Sequence, residues 1–365
     1  MSFLEVKNLC TTFQTRKGRV RAVEEVSFAL ESGKTLAIVG ESGSGKSVTA
    51  MSILRLLDEN GRIEGGEILF RDGERTLDLA KIPLTQMYGI RGNLISMIFQ
   101  EPMTALNPVF TIGRQLSEPF IIHQKKSKKE AWAEGIKMLQ AVRIPNAESM
   151  MKSYAHRFSG GMRQRVMIAM ALACRPKILI ADEPTTALDV TIQAQILRLM
   201  KELQKEQGTA ILFITHDLGV VHEMADDVAV TYCGQVVERV PAPLLFGDCR
   251  YMHPYTEGLL ISAPSEKNAG NRLRSIPGSV PSPYAIPKGC RFAPRCPYAT
   301  EKCIREMPIL KGVGEGQEIR CFYPSLKERR SEEHRDLIIH SQADEIFSNA
   351  QEASLFQGAS LSSRE

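Results

Sequence analysis

The sequence predicts an α/β fold with a largely parallel and buried β-sheet. Short, wholly apolar runs recur along the chain at Leu36–Val39, Ile178–Ala181 and Ala210–Ile214, and segments with helical periodicity separate them. Strands of this composition are typical of parallel sheets that are covered by helices on both faces. Between about residues 101 and 175 the apolar runs give way to helical patterns. The sheet is therefore predicted to carry a helical insertion.

The composition fits a soluble chain long enough for about two to three domains. Of the 365 residues, 43% are hydrophobic and 24% are charged, and the net charge of +4 neither requires nor excludes nucleic acid. The longest apolar run, Val166–Cys174, is far shorter than the ~20 residues that span a bilayer. Residues Met1–Glu5 show no signal-peptide pattern, so we expect a cytosolic chain in which disulfides are rare.

The other elements follow from local patterns taken in chain order. Phe3–Leu9 alternates as a strand with a turn predicted near Asn8, and Val26–Leu30 alternates as the next strand. Further strands are predicted at Glu67–Phe70, Leu94–Phe99 and Val228–Val230, and helices around Ile112–Leu116 and Trp132–Val142. Frequent prolines predict an extended connector over Ser262–Gly289. The charged, then Ser-, Gln- and Ala-rich residues 326–365 are typical of a disordered tail.

A glycine-rich loop stands between an apolar strand and a helical pattern. Its residues are Gly40, Glu41, Ser42, Gly43, Ser44, Gly45, Lys46 and Ser47, with Val48 opening the helix. This strand, loop and helix order is typical of a phosphate-binding loop (P-loop), whose backbone N–H groups surround a nucleotide phosphate. Lys46 is predicted to reach the β- and γ-phosphates and Ser47 to hold Mg²⁺. The alternative, a glycine-rich turn with a chance lysine, explains the flanking pattern less well.

Two later stretches carry candidate chemistry. Asp182 and Glu183 end the apolar strand Ile178–Ala181, so the first can hold Mg²⁺ and the second can act as general base on water. A strand that ends in a solvated acidic turn is the alternative. Ser159 is a good N-cap for the helix that continues to Leu172, and the glycines after it leave backbone N–H groups uncovered. That helix start is either a second anion site or an ordinary capped core helix.

Together these stretches resemble the ATP-binding-cassette (ABC) ATPases over about Leu4 to Glu238. The matching elements are the P-loop at Gly40–Ser47, Gln100 of the Q-loop, the signature Ser159, Gly160, Gly161 and Met162, the acidic pair Asp182 and Glu183, Asp189 of the D-loop and the switch histidine His216. Phe13 suits the aromatic residue that stacks on adenine in that family. Met162 departs from the glutamine common in the family. Because the helix N-terminus does not depend on that side chain, we expect activity to persist.

The resemblance implies a fold and a mechanism. Residues 1–250 are expected to form a P-loop NTPase cassette with a largely parallel core, an antiparallel β subdomain and the helical insertion. The expected ligands are ATP and Mg²⁺, with Ser47, Gln100 and Asp182 at the ion. Glu183 is the implied base, and His216 and Gln100 are the other implied catalytic residues. Two cassettes pair head to tail in this family, so the signature residues are expected to contact ATP bound by the partner.

The residues of several motifs are similar to those of the di- and oligopeptide importer branch, and this resemblance extends to about Pro324. The stretches are Gln100–Pro108, Phe158–Leu172, His253–Thr256 and Ile276–Pro281, and Met103 and Met162 are similar to the first of that branch's two unlike cassettes. The implied function is to energise import of peptides, or of related solutes such as nickel. The implied partners are a second, non-identical cassette, two transmembrane permease subunits and a solute-binding protein, but no nucleic acid. The implied location is peripheral, on the cytoplasmic face of the cell membrane.

Four cysteines cluster in the loop-rich region over residues 251–325. They are Cys290, Cys296, Cys303 and Cys321, while Cys10, Cys174, Cys233 and Cys249 are scattered. Clustered thiols in a cytosolic chain indicate ligation of zinc or an iron–sulfur cluster, although the paired Cys-x-x-Cys spacing of structural zinc is missing. Similar importer subunits carry a 4Fe–4S cluster here, and we favour that ligand. Free thiols, or a disulfide formed by oxidation, are the alternatives.

Two other functions compete with the importer hypothesis. A soluble ABC ATPase that acts on nucleic acid or ribosomes usually fuses two cassettes or inserts long coiled coils, and neither pattern is present. A small-molecule kinase could use the P-loop, but it would leave Ser159–Gly161 and His216 unexplained. The sequence does not identify the transported solute, because an energising subunit does not contact it.

Overall fold

The computed structural model describes residues 2–101, 105–185, 188–263 and 275–326. Met103 and its neighbours Pro102 and Thr104, residues 186–187, residues 264–274 of the predicted connector and residues 327–365 of the predicted tail lie outside the described residues. Within the described ranges, no helix has both the length and the apolar character needed to cross a bilayer.

The described residues form fourteen strands and eleven α-helices. The strands are β1 Ser2–Thr15, β2 Gly18–Glu31, β3 Thr35–Val39, β4 Gly61–Asp72, β5 Arg75–Asp78, β6 Ile95–Ile98, β7 Ile178–Asp182, β8 Ala210–Thr215, β9 Asp227–Tyr232, β10 Gln235–Pro241, β11 Tyr251–Met252, β12 Lys311–Gly314, β13 Gln317–Ile319 and β14 Ser325–Leu326. The helices are α1 Lys46–Leu54, α2 Leu84–Ile90, α3 Ile112–Gln124, α4 Lys128–Ala141, α5 Ala147–Met150, α6 Gly160–Leu172, α7 Val190–Gln207, α8 Leu218–Met224, α9 Ala242–Phe246, α10 Pro254–Ser262 and α11 Glu301–Arg305. Short 3₁₀ turns lie at Ala155–Arg157 and Ala293–Arg295.

The main sheet has eight strands in the order β12-β13-β10-β9-β3-β8-β7-β6. Strands β9, β3, β8, β7 and β6 are parallel, and β10, β13 and β12 continue the sheet in antiparallel pairs. The prediction of a largely parallel sheet is confirmed. Helices α3 to α6 lie in the chain between the neighbouring strands β6 and β7, which confirms the helical insertion.

A second, antiparallel sheet has the strand order β2-β1-β4-β5. The turn predicted near Asn8 is wrong, because β1 continues through this residue. Asn8 instead has a positive φ of 47° and lies within the register shift between Val6 and Leu9 of the β1–β2 pair, so the chain bulges without leaving the sheet. A single polar residue with positive φ is typical of such an irregularity.

The parallel strands are buried on both faces because successive side chains point to opposite sides. Ile178 and Ile180 pack into the core shared with the antiparallel sheet, whereas Leu179 and Ala181 pack into the core shared with the helical insertion. All five residues of β7 and all six of β8 are buried, which explains why both strands are apolar up to their last residues, Asp182 and Thr215. The main sheet is therefore the middle layer of the molecule.

The described residues after β10 share a hydrophobic cluster with the cassette strand β3. Strand β13 pairs with β10 and extends the main sheet. No local pattern predicted this strand. Tyr255 and Phe292 are fully buried together with Val39 of β3 in a third hydrophobic cluster. Residues 275–289 contain neither helix nor strand, in agreement with the extended connector predicted there.

Candidate functional site

Strand register brings the predicted motifs to one edge of the main sheet. In the parallel pairs, Val39 lies opposite Thr215, Asp182 opposite Ile214 and Ile98 opposite Ala181. The residues that follow these strands are the P-loop, His216, Glu183 and Gln100. The carboxyl ends of parallel strands are the usual ligand-binding edge of an open α/β sheet. The topology therefore gathers on one side the motifs that the sequence separates by up to 176 positions, from residue 40 to residue 216.

Two glycines allow the P-loop to approach its neighbours closely. A Cβ atom at Gly40 would lie 2.2 Å from the carbonyl oxygen of Thr231, and one at Gly45 would lie 2.4 Å from that of Ala22. Gly45 also has a φ of 92° and directly precedes α1. Helix α1 therefore begins inside the loop. Its free N–H groups and the positive end of its dipole favour an anion there.

Lys46 is buried at the start of α1, and its ammonium group is held by the loop itself. Its Nζ donates to the carbonyl oxygens of Gly40 and Glu41 at 2.8 and 3.0 Å. Burial lowers the pKa of Lys46, and the nearby carboxylates of Glu183, Asp182 and Glu41 oppose that change. Carbonyl oxygens can be exchanged for phosphate oxygens, so this geometry suits an ammonium group that binds an anionic ligand.

Asp182 ends β7 with one carboxylate oxygen that lacks a protein partner. The residue is 2% exposed, and its Oδ1 is buried with no hydrogen bond among the described residues. Burial raises the pKa of Asp182, whereas a hydrogen bond from Ser47 lowers it. A carboxylate oxygen and a hydroxyl oxygen next to a P-loop form a donor set that suits Mg²⁺. The residues present therefore fit the ion that the sequence predicts here.

Glu183 is held between two side chains from neighbouring strand ends. Its Oε2 accepts a hydrogen bond from Nε2 of Gln100 at 3.2 Å, and its Oε1 lies 3.1 Å from Nδ1 of His216. Its backbone has a φ of 46°, unusual for a residue with a side chain, and its N–H donates to the carbonyl oxygen of Ile214 at 2.9 Å. Strained backbone of this kind is common where a side chain must be aimed.

The other predicted site residues make local contacts. Ser159 caps α6 by accepting from the Met162 N–H at 3.3 Å, and a Cβ at Gly160 would meet no atom within 4 Å. Asp189 caps α7 by accepting from the Ile192 N–H at 3.0 Å. Phe13 lies on β1, where its ring packs against Gly61. The structure thus brings Lys46, Asp182, Glu183, Gln100 and His216 together and leaves these residues outside that group.

The four clustered cysteines line one small cavity. Cys290, Cys296, Cys303 and Cys321 line a pocket of only ≈ 10 Å³ together with the rings of Phe292 and Tyr298. All eight cysteines of the chain lie in the described ranges, and none forms a disulfide. In those ranges, no group of three or more His, Cys, Asp or Glu side chains is arranged to hold a metal ion. The four side chains therefore line one pocket as free thiols.

Sequence reasoning missed two contacts that reach the P-loop from the C-terminal region. The hydroxyl oxygen of Tyr255 accepts a hydrogen bond from the Glu41 N–H at 2.8 Å. The guanidinium of Arg295 donates to both carboxylate oxygens of Glu41, at 2.6 and 3.0 Å. Neither residue belongs to a pattern that points to the loop, which lies more than 200 positions earlier in the chain. Only the fold reveals the pairing.

Three family models match the chain, and one of them, described as "AAA domain, putative AbiEii toxin, Type IV TA system", matches residues 152–222. The model described as "ABC transporter" matches residues 23–186, and the one described as "Oligopeptide/dipeptide transporter, C-terminal region" matches residues 237–303. The ABC transporter match includes the P-loop, Gln100, the signature and the acidic pair. The C-terminal region match ends at Cys303, so it includes three of the four clustered cysteines.

Curated relatives are similar over most of the chain. The oligopeptide transport ATP-binding protein AppD of Bacillus subtilis is 53% identical over 322 residues, which are 88% of this chain and 96% of AppD. The oligopeptide transport ATP-binding protein OppD of Salmonella typhimurium is 50% identical over 321 residues, 88% of this chain and 93% of OppD.

Solved structures share the cassette fold. The ATP-binding cassette MJ0796, in a dimeric post-hydrolysis state with ADP and Pi, is 26% identical with a TM-score of 0.59, covering 66% of this chain and 98% of that one. The protein cbiO1 from Clostridium perfringens, part of the ABC transporter complex cbiONQ, is 27% identical with a TM-score of 0.54, covering 67% of this chain and 90% of that one. The relatives above, together with the ABC transporter and oligopeptide/dipeptide transporter family models, show the family of this chain. It belongs to the ATP-binding subunits of ABC transporters that carry the oligopeptide/dipeptide transporter C-terminal region.

Proposed function

We propose that this chain hydrolyses ATP to energise the import of di- or oligopeptides. The cassette motifs support ATP hydrolysis, and the C-terminal region supports the peptide class. Relatives at 50–53% identity are named as oligopeptide transport ATP-binding proteins. A role on nucleic acid or ribosomes leaves this C-terminal region without a purpose, so the importer reading is preferred.

The observation that carries the catalytic assignment is the position of Glu183 between Gln100 and His216, at the sheet edge that also carries the P-loop. In our proposal, Glu183 accepts a proton from the attacking water, and His216 and Gln100 keep its carboxylate aimed. Lys46 and the N–H groups of the P-loop hold the phosphates and stabilise charge that builds up on them.

Ser47, Asp182 and Gln100 are the residues that would hold Mg²⁺, and Phe13 would stack on adenine. The unpartnered Oδ1 of Asp182 supports this part of the proposal, because a buried carboxylate oxygen needs a compensating partner. When bound, the ion supplies positive charge that offsets the negative charge of the phosphate groups.

The proposed partner for the signature residues is a second cassette. The solvent-open Gly160 at the start of α6 leaves its backbone free for an anion held by another subunit, and the related cassette MJ0796 was solved as a dimer. We further propose that the second cassette is non-identical and that both bind two permease subunits served by a solute-binding protein. Asp189 would lie between the two cassettes. The chain would then be peripheral on the cytoplasmic face of the cell membrane.

We also propose that Cys290, Cys296, Cys303 and Cys321 ligate one 4Fe–4S cluster. A single zinc ion needs all its thiolate sulfurs about 2.3 Å away, whereas a cluster carries its own iron and sulfide into the space between dispersed thiols. The position of all four thiols around one pocket, beside Phe292 and Tyr298, supports the cluster proposal. Its role is structural, because ATP hydrolysis transfers no electron.

Anaerobic purification followed by iron and sulfide analysis tests the cluster. About four irons per chain are expected, and they should be lost together in Cys296→Ser. Cys174→Ser is the matched control, because Cys174 is also buried but lies on the helical insertion side of the sheet. One zinc per chain would keep the ligands but change the metal, and metal-free protein would refute both.

Co-purification and transport test the function. The tagged chain should be recovered from membranes with permease subunits and a second cassette, and proteoliposomes of that complex should take up a labelled tripeptide only with ATP. Glu183→Gln in this chain should abolish the uptake without changing the composition of the complex. Full ATPase activity of an isolated monomer, or uptake that ignores peptides, would contradict the proposal.

A further inference from the structure

Glu41, the second residue of the P-loop, is bound from two sides by the C-terminal region. Its backbone N–H donates to Tyr255, and its carboxylate accepts both hydrogen bonds of a fork from Arg295. Among the hydrogen bonds of the described residues, no other side chain of the P-loop accepts two hydrogen bonds from an arginine. Glu41 is thus the point where the nucleotide loop and the C-terminal region meet.

Arg295 is itself rigidly held. Its side chain is only 3% exposed. Its Nε donates to the Pro277 carbonyl oxygen at 2.9 Å, and one terminal nitrogen also donates to the Tyr232 hydroxyl at 3.3 Å. A planar guanidinium with several donors engaged has one orientation, so it can fix the orientation of a carboxylate.

The contact continues through Glu41 to Lys46. The carbonyl oxygen of Glu41 accepts from the Lys46 ammonium at 3.0 Å, next to the carbonyl oxygen of Gly40 at 2.8 Å. A shift of Glu41 therefore moves an oxygen that holds Lys46. Tyr255, which binds the N–H of Glu41, also packs in a tilted arrangement against the ring of Phe292, with the ring centroids 5.4 Å apart. The N–H and the carboxylate of Glu41 are thus bound by the C-terminal region, while its carbonyl oxygen binds Lys46.

We propose that Arg295 is a positioning residue of the nucleotide site, acting through Glu41 on the P-loop. The C-terminal region then contributes to ATP affinity, in addition to any role in assembly. This inference rests on the proposed function of Gly40–Ser47 as the ATP-binding loop. It also predicts that disorder in the segment around Arg295, which directly precedes Cys296, weakens nucleotide binding at a distance from the phosphates.

The contrasting view is that the pair only fastens the C-terminal region to the cassette. Arg239 and Glu318 provide a matched control for that view, because this ion pair of 3.2 Å also joins the cassette strand β10 to the C-terminal strand β13. It joins two neighbouring strands of the sheet and does not contact the P-loop. Loss of a mere fastening should lower stability in both cases and affinity in neither.

The test measures the affinity of the purified full chain for a non-hydrolysable ATP analogue with Mg²⁺ by calorimetry. Glu41→Gln and Arg295→Gln should each raise Kd about tenfold, and the double variant should be little worse than either single one, because both remove the same contact. Arg295→Lys, which keeps the charge but loses the fork, should fall between them and the wild type. Arg239→Gln should leave Kd unchanged.

Circular dichroism and thermal unfolding identify variants that fail to fold. If Arg295→Gln does not fold, the more exposed Glu41→Gln decides the question alone. Folded variants with wild-type Kd, or a double variant whose loss is the full product of the single losses, overturn the inference. Lys46→Ala separates the two hypotheses: if it binds the analogue normally, the P-loop assignment fails, and if it alone loses binding, only the role of Arg295 fails.

Discussion

The carboxyl edge of the parallel sheet holds its polar residues by strand register, whereas the C-terminal region holds its own by hydrogen bonds from buried arginine side chains. Glu183 and His216 are neighbours because β7 and β8 are neighbours. Arg320, by contrast, is fixed by donating to the carbonyl oxygens of Val236 and Pro308 at 3.0 and 3.3 Å.

This difference teaches where activity and stability should separate. At the sheet edge, the regular hydrogen bonds of the strands carry the framework, so the functional side chains can be changed without unfolding it. In the C-terminal region, the side chains are themselves the framework, and a buried carbonyl left without its donor costs free energy. Substitutions at the sheet edge should therefore lower activity and leave stability unchanged. Substitutions of buried arginines in the C-terminal region should mainly lower stability.

The largest effect is expected for Lys46→Ala at the sheet edge. Removal of the ammonium group should weaken nucleotide binding at least about 100-fold, because charge-assisted hydrogen bonds to phosphate are lost. Fluorescence titration with a labelled ADP measures it. Lys34→Ala is the control, because Lys34 lies at the other end of β3, the strand that leads into the P-loop, and forms an exposed ion pair with Glu31. Equal affinity of the two variants for the labelled ADP would show that Lys46 does not hold the nucleotide.

The next largest effect is expected for Glu183→Gln. The amide keeps the shape but cannot accept a proton, so turnover in the reconstituted complex should fall by roughly 100-fold or more while ATP still binds. The unfolding temperature should stay near that of the wild type, since strands β7 and β8 remain paired. Near-normal turnover would remove Glu183 from its role, and Glu206→Gln on the exposed face of α7 serves as the control.

A smaller effect of the opposite kind is expected for Arg320→Met. Two buried carbonyl groups lose their donor, so the free energy of unfolding should fall by about 2–4 kcal/mol. Urea unfolding of the full chain followed by circular dichroism measures the change. A variant as stable as the wild type would show that the arginine hydrogen bonds are dispensable and that hydrophobic packing alone holds the region.

The smallest effect is expected for Arg305→Met in the same region. Arg305 pairs with Glu301 one helical turn away, and the two side chains are 73% and 71% exposed. Exposed pairs of this kind contribute about 0.5 kcal/mol or less, so urea unfolding should barely change. A loss as large as that of Arg320→Met would mean that charge, and not burial, determines the stability of the region.

The sequence predicted the sheet edge better than the C-terminal region for a physical reason. The P-loop, Asp182 and Glu183 each stand next to a wholly apolar strand, so a local pattern implies a position at a strand end. Arg295 and Glu41 meet only because the chain folds back across more than 200 residues, and no local periodicity encodes that contact. Asn8 shows the limit inside a strand, since a polar residue with positive φ can mark a bulge as well as a turn.

The pairing of β13 with β10 has a consequence for synthesis on the ribosome. Strand β10 ends at Pro241 and β13 begins at Gln317, roughly 75 residues later. At about 5–20 residues per second, translation leaves this edge of the nascent sheet without its partner for about 4–15 seconds. An uncovered strand edge can pair with another chain. We expect truncations that end soon after β10 to aggregate during expression, although every nucleotide motif has by then been made.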